Sequence, residues 1–100
     1  MGSNAHIVGV GAANLDLNGA SKSSIHLRDS NPGRISLSAG GVTRNVCENL
    51  ARLGADVKLL SCVGDDEFGS FICRASSEAG IDISHLLRVP GATSSIYLSI

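Results

Sequence analysis

The chain has 100 residues, 43% of them apolar and 17% charged, with a formal net charge of −1 at pH 7. That length suits one small domain or part of a larger one. The near-neutral balance offers no broad basic face, so nucleic acid is not an expected partner. No apolar run approaches the roughly 18 residues of a membrane span, so no membrane partner is expected either. The start "MGSNAHIVGVG" lacks the basic segment of a secretory leader. Residues 1–5, small and polar, read as an expression scar. Cys47, Cys62 and Cys73 lie far apart, with no CxxC and no His at ligand spacing. They read as small buried hydrophobes in a reducing cytoplasm, and no metal site is expected.

In chain order, "HIVGVG" (6–11) is an apolar run closed by glycine and reads as a buried strand. Residues 17–38 alternate, turn polar at "DSNPGR" and alternate again in "RISLS", with Ile35 and Leu37 on one face. This is the pattern of a half-polar two-stranded ribbon, its turn made by the fixed φ of proline and the freedom of glycine. Next comes a helix over 42–53, with Val42, Val46, Leu50 and Leu53 as its apolar stripe, Glu48 and Arg52 as an i,i+4 pair, and Gly54 as terminator. "DVKLLSCVG" reads as a strand buried on both faces. "DDEFGSFICRASSEAG" gives a second helix with Phe68, Phe71, Ile72, Ala75 and Ala79 on its stripe. "HLLRV" and "SSIYLSI" follow as strands. Strand and helix alternate, so the expected class is α/β with a parallel sheet flanked by helices and a small β insert after the first strand.

Several motifs carry chemistry. "GVGAAN" invites a dinucleotide fingerprint, but Asn14 stands at the third glycine position and a strand pattern follows instead of a helix. The adjacent carboxylates of "GDDEFG" would suit a hard cation. They suit a helix N-terminus better, with Asp65 or Asp66 as cap and Glu67 in the first turn. Asn14 and Asp16 sit two apart near the end of the first strand and so point to one side, where open α/β sheets bind ligands. An amide and a carboxylate together suit a vicinal diol, though strand-end residues also satisfy turns. "SAGGVTRNVCENLARLG" aims Gly40 and Gly41 at a helix N-terminus. Without Cβ atoms that backbone admits close approach, and Asn45 lies one turn in. The alternative there is a glycine hinge with Asn45 facing solvent.

At these residues the sequence resembles the PfkB-type, ribokinase-like carbohydrate kinases. "GGVTRNVCENLARLG" followed by "VGDDEFG" is similar to that family's N-terminal signature, and the likeness runs from "GAANLDL" to "TSSIYLSI". Thr43 and Cys47 depart from the pattern, which has Gly or Ala, and Ala, Ser or Thr, at those places. Within the family, "DSNPGRISLSAGGVTRNVCENLARLG" and "VPGATSSIYLSI" look most like pseudouridine kinases. The resemblance implies ATP-dependent phosphorylation of a nucleoside 5′-hydroxyl with Mg²⁺. Asn14, Asp16, Gly40, Gly41 and Asn45 would hold the ribose, and segments 17–38 and 94–100 would form a lid that in relatives also makes a homodimer contact. It further implies a catalytic Asp and an ATP site in a C-terminal half that this chain does not reach, so residues 6–100 would be the N-terminal portion of a kinase. A ribose or other sugar kinase, and a non-catalytic binding or dimerisation module, are the alternatives.

Overall fold

The computed structural model of the chain describes residues 6–100. The expected scar at 1–5 lies outside them. Strand β1 (Ile7–Val10) is followed by β2 (Asn14–Ser21), β3 (Gly33–Gly40), helix α1 (Val42–Arg52), β4 (Val57–Leu60), β5 (Cys62–Gly64), helix α2 (Glu67–Glu78), β6 (Leu87–Val89) and β7 (Ile96–Ser99). β1 pairs in parallel with β4, and β5 in parallel with β6. The ribbon β2–β3 is antiparallel, and β7 joins it in parallel with β2, giving the order β3-β2-β7. The α/β class and the inserted ribbon are therefore as the sequence pattern implies. Among the described residues, no helix is long and apolar enough to cross a membrane.

The core lies where the layers meet. Leu15 of β2, Val57 and Leu59 of β4, Val63 of β5, Cys47 of α1 and Ile72 of α2 pack together with Ala13 and Ile81. Leu15, Leu59 and Ile72 are completely buried, each contributing about 1.5–3 kcal/mol through removal of apolar surface from water.

Several expectations change on contact with the structure. β1 is not buried on both faces: Ile7, Val8 and Val10 are exposed, because only β4 flanks it among the described residues. The run "DVKLLSCVG" breaks at Ser61 into β4 and β5, and only alternate side chains, Val57, Leu59 and Val63, are buried. On α1, Val42, Val46 and Leu53 face outward, and Leu50 alone of that stripe touches the core. The inward face carries Arg44 and Cys47. Arg44 disguises this face in the sequence, since a charged residue breaks the apolar count even when its charge is internally neutralised. On α2 the buried line is Gly69, Ile72 and Ser76, continued by Ala79, while Phe68 is exposed. Cys62 is exposed and Cys73 half-buried, so only Cys47 is the buried thiol expected of all three.

The ribbon's turn also differs in mechanism. The left-handed residue is Arg28 (φ 60°), not Gly33. Asn31 holds the turn: its Oδ1 accepts from His26 N at 2.7 Å, and its Nδ2 donates to the carbonyls of His26 and Asp29 at 3.0 and 2.9 Å. Gly33 serves close approach instead, since a β-carbon there would overlap the Ala20 carbonyl across the ribbon.

Candidate functional site

Asn14 and Asp16 open β2; they do not close β1, which ends at Val10. Their side chains meet, with Asn14 Nδ2 donating to Asp16 Oδ1 at 2.9 Å. A carboxylate only accepts, so the amide orientation is fixed by chemistry. The ribbon register sets Asn14 opposite Gly40 and Asp16 opposite Ser38. The carboxylate consequently lies over Gly40, where a β-carbon would sit 2.7 Å from Asp16 Cγ. A β-carbon on Gly41 would meet the Ala12 carbonyl oxygen at 2.5 Å and Asn14 Oδ1 at 2.9 Å, and Gly41 has φ 98°. Both glycines are thus required by the polar pair and the backbone beside them. Asp16, Asn14 and Ala12 line the side of the glycine backbone on which a β-carbon would stand.

Gly41 is the N-cap of α1, and no side chain caps the helix. Arg44 N donates to the Ala12 carbonyl at 3.2 Å and Asn45 N to the Gly41 carbonyl at 2.9 Å, tying the first turn to the loop after β1. The first turn holds no acidic residue, so the positive end of the helix dipole faces this corner uncompensated from within the helix. Four of the five expected site residues therefore converge. Asn45 stands one turn along, exposed, joined to Gly41 through backbone and to Arg44 through its side chain (Arg44 Nη1 to Asn45 Oδ1, 3.1 Å). It borders an open cavity of about 600 Å³ between α1, α2 and the end of β3, which Asn14 and Asp16 do not line.

The two departures from the resembled pattern have a common explanation. Thr43 packs over Gly11, its Cβ 2.9 Å from where a β-carbon would stand, and Cys47 packs over Gly9. Glycines in and after β1 make room for larger residues on α1. Burial pushes the Cys47 thiol pKa up, partly offset by the positive charge of Arg44.

The second motif forms a hub. Asp66 caps α2, accepting from Gly69 N at 2.7 Å. It also accepts from Ser94 N at 2.8 Å and Ser94 Oγ at 2.7 Å. Those bonds from Ser94, then that from Gly69, hold the Asp66 carboxyl below the usual range. Gly64 N in turn donates to Ser94 Oγ at 2.9 Å. This locks the approach to β7 onto α2, a role for Ser94 that the sequence pattern does not reveal. Arg44 and Ser76 were equally hidden: Arg44 Nε donates to Ser76 Oγ at 2.9 Å, 32 residues away. The readable signal was Glu48, four residues after Arg44; its carboxylate binds both Arg52 and Arg44 at 2.8 Å. No cluster of three or more His, Cys, Asp or Glu suited to a metal occurs among the described residues.

The pfkB family carbohydrate kinase pattern matches residues 4–100. The chain is 42% identical over 95 residues to pseudouridine kinase from Escherichia coli (strain K12), an overlap of 95% of this chain and 30% of that protein. Its structure is similar to a Clostridium perfringens crystal structure provisionally described as a sugar kinase (TM-score 0.85, 34% identity, 93% of this chain and 29% of that one). It is also similar to fructokinase with bound ATP from Xylella fastidiosa (TM-score 0.81, 26% identity, 95% and 29%). The chain spans less than a third of the length of each relative. The fold is ribokinase-like, and the chain belongs to the PfkB family of carbohydrate kinases.

Proposed function

We propose that this chain is the sugar-holding portion of an ATP-dependent kinase that phosphorylates the 5′-hydroxyl of pseudouridine. The observation that carries the reading is the Asn14–Asp16 pair seated on Gly40 and Gly41. It presents carboxylate and amide oxygen acceptors from a fixed backbone, the chemistry that grips neighbouring sugar hydroxyls. The 42% identity to pseudouridine kinase supports the choice of substrate. A free-sugar kinase is the second reading, favoured by the likeness to fructokinase, since the same clamp serves a sugar without a base.

Phosphoryl transfer is chiefly positioning and electrostatic stabilisation. ATP with Mg²⁺ supplies the phosphoryl group and neutralises its charge. The described residues do not fit that group, since no cluster of three or more His, Cys, Asp or Glu gathers among them to hold the cation. In this reading the nucleotide site and catalytic Asp belong to the rest of the protein. This chain's share is to bind the ribose through Asn14, Asp16 and Asn45 and orient its 5′-hydroxyl. Segments 17–38 and 94–100 cover it, a role supported by the pairing of β7 with β2 in one sheet. Exposed Ile35 and Leu37 on β3 suit a homodimer contact of that lid, and three free cysteines suit a reducing cytoplasm.

A coupled ADP-release assay on the full-length protein with pseudouridine, uridine, ribose and fructose tests this. The highest kcat/KM belongs to pseudouridine. Equal or better turnover of ribose or fructose contradicts the nucleoside assignment. Absence of turnover on all four favours a binding module.

A further inference from the structure

Arg44 is a buried cation, 3% exposed, that the proposed clamp does not use. A charge out of water persists only when fully paired, and every nitrogen of this guanidinium is engaged. Nε donates to Ser76 Oγ, Nη2 meets Glu48 Oε1 at 2.8 Å, and Nη1 donates to the Ala39 carbonyl at 3.3 Å and to Asn45 Oδ1 at 3.1 Å. Ala39 precedes Gly40, so one side chain ties together β3, α1 and α2 beside the glycine pair.

The bond to Asn45 carries more than packing. A guanidinium has donors only, so the amide atom facing Nη1 must be the oxygen. The Asn45 amide is thereby held with its NH₂ turned away from Arg44, and Nδ2 makes no hydrogen bond among the described residues. An amide without such a partner presents either end. We propose that Arg44 is a positioning residue that fixes the polarity of Asn45, so that Asn45 offers a donor while Asp16 offers an acceptor. A sugar carries several hydroxyls, each able to donate and to accept, so a fixed donor at Asn45 and an acceptor at Asp16 read different hydroxyls. The inference rests on the reading that Asn45 contacts the sugar.

The test is a double-mutant cycle on the full-length kinase, with kcat/KM for pseudouridine and the unfolding temperature as separate readouts. Asn45→Ala lowers kcat/KM about tenfold and Arg44→Met about fivefold, mainly through KM. The double variant is no worse in kcat/KM than Asn45→Ala alone, within about twofold, while Arg44→Met still lowers the unfolding temperature on the Asn45→Ala background through its lost bonds to Ser76, Glu48 and Ala39. Arg44→Lys retains a donor and recovers part of the loss; if Arg44→Met does not fold, Arg44→Lys takes its place in the cycle, its smaller defect vanishing on the Asn45→Ala background. Wild-type kcat/KM in Asn45→Ala overturns the sugar-contact reading of Asn45, and the inference with it. An impaired Asn45→Ala combined with an Arg44 effect that persists undiminished in the double variant, or with no Arg44 effect at all, leaves that reading standing and overturns the positioning role.

Discussion

The Asp16 carboxylate fills the space that a side chain on Gly40 would need. The conformation of Gly40 is one that any residue adopts; only Gly41 of the pair has positive φ. The two glycines are therefore glycines for different reasons, and substitution separates them.

Gly40→Ala displaces the carboxylate without straining the backbone. The expected result in the full-length enzyme is a loss of about tenfold or more in kcat/KM, with a small change in unfolding temperature. Gly41→Ala forces an L-residue to φ 98° against the Ala12 carbonyl, and costs stability of about 1–3 kcal/mol. Paired kinetics and thermal unfolding check both; equal stability losses would contradict the distinction.

The sequence shows the α/β alternation, the ribbon, the helix bounds and the Asp66 cap because each is a local pattern. Gly54 ends α1 with φ 95° and Asp66 accepts from Gly69 N, as turn and capping chemistry dictate. Four of the five expected site residues lie together because β2 and β3 are antiparallel neighbours, which brings "NLD" against "SAG" with Gly41 next in the chain. The inward face of α1 was not legible. Val42, Val46 and Leu53 follow the helical period yet face out, while Arg44 is buried through Ser76, a partner no local rule locates. The docking of Ser94 on Asp66, 28 residues apart, was hidden for the same reason.

Thiol accessibility follows from the packing. Cys62 is exposed, whereas Cys47 is buried against Gly9 with its pKa raised by burial. Thiolate is the reactive form, so limited alkylation in native buffer modifies Cys62 first and leaves Cys47 intact until denaturant is added. Peptide mass mapping reads the order. Early modification of Cys47 would contradict the packing of α1 on β1.

Asp66 gives stability a pH dependence of known sign. Its folded pKa is lowered by the bonds from Ser94 and Gly69, so the unfolded chain binds more protons and stability rises with pH across the window. The contribution is complete above the ordinary Asp pKa of about 3.9 and fades as pH falls through the lower folded value. Asp66→Asn removes this share. Unfolding temperatures followed from pH 6 to pH 3 fall less steeply for Asp66→Asn than for wild type, and parallel curves would show that the hub does not carry this linkage.

The central claim is that Asp16 grips the sugar. Asp16→Asn keeps the shape, and the new amide still meets Asn14, but the charge that makes each hydroxyl hydrogen bond worth about 1.5–3 kcal/mol is gone. The most direct measurement is kcat/KM for pseudouridine in the full-length Asp16→Asn kinase beside its unfolding temperature. The account predicts a loss of about tenfold to a hundredfold in kcat/KM with the unfolding temperature near that of wild type. Wild-type kcat/KM in a folded Asp16→Asn protein would contradict it.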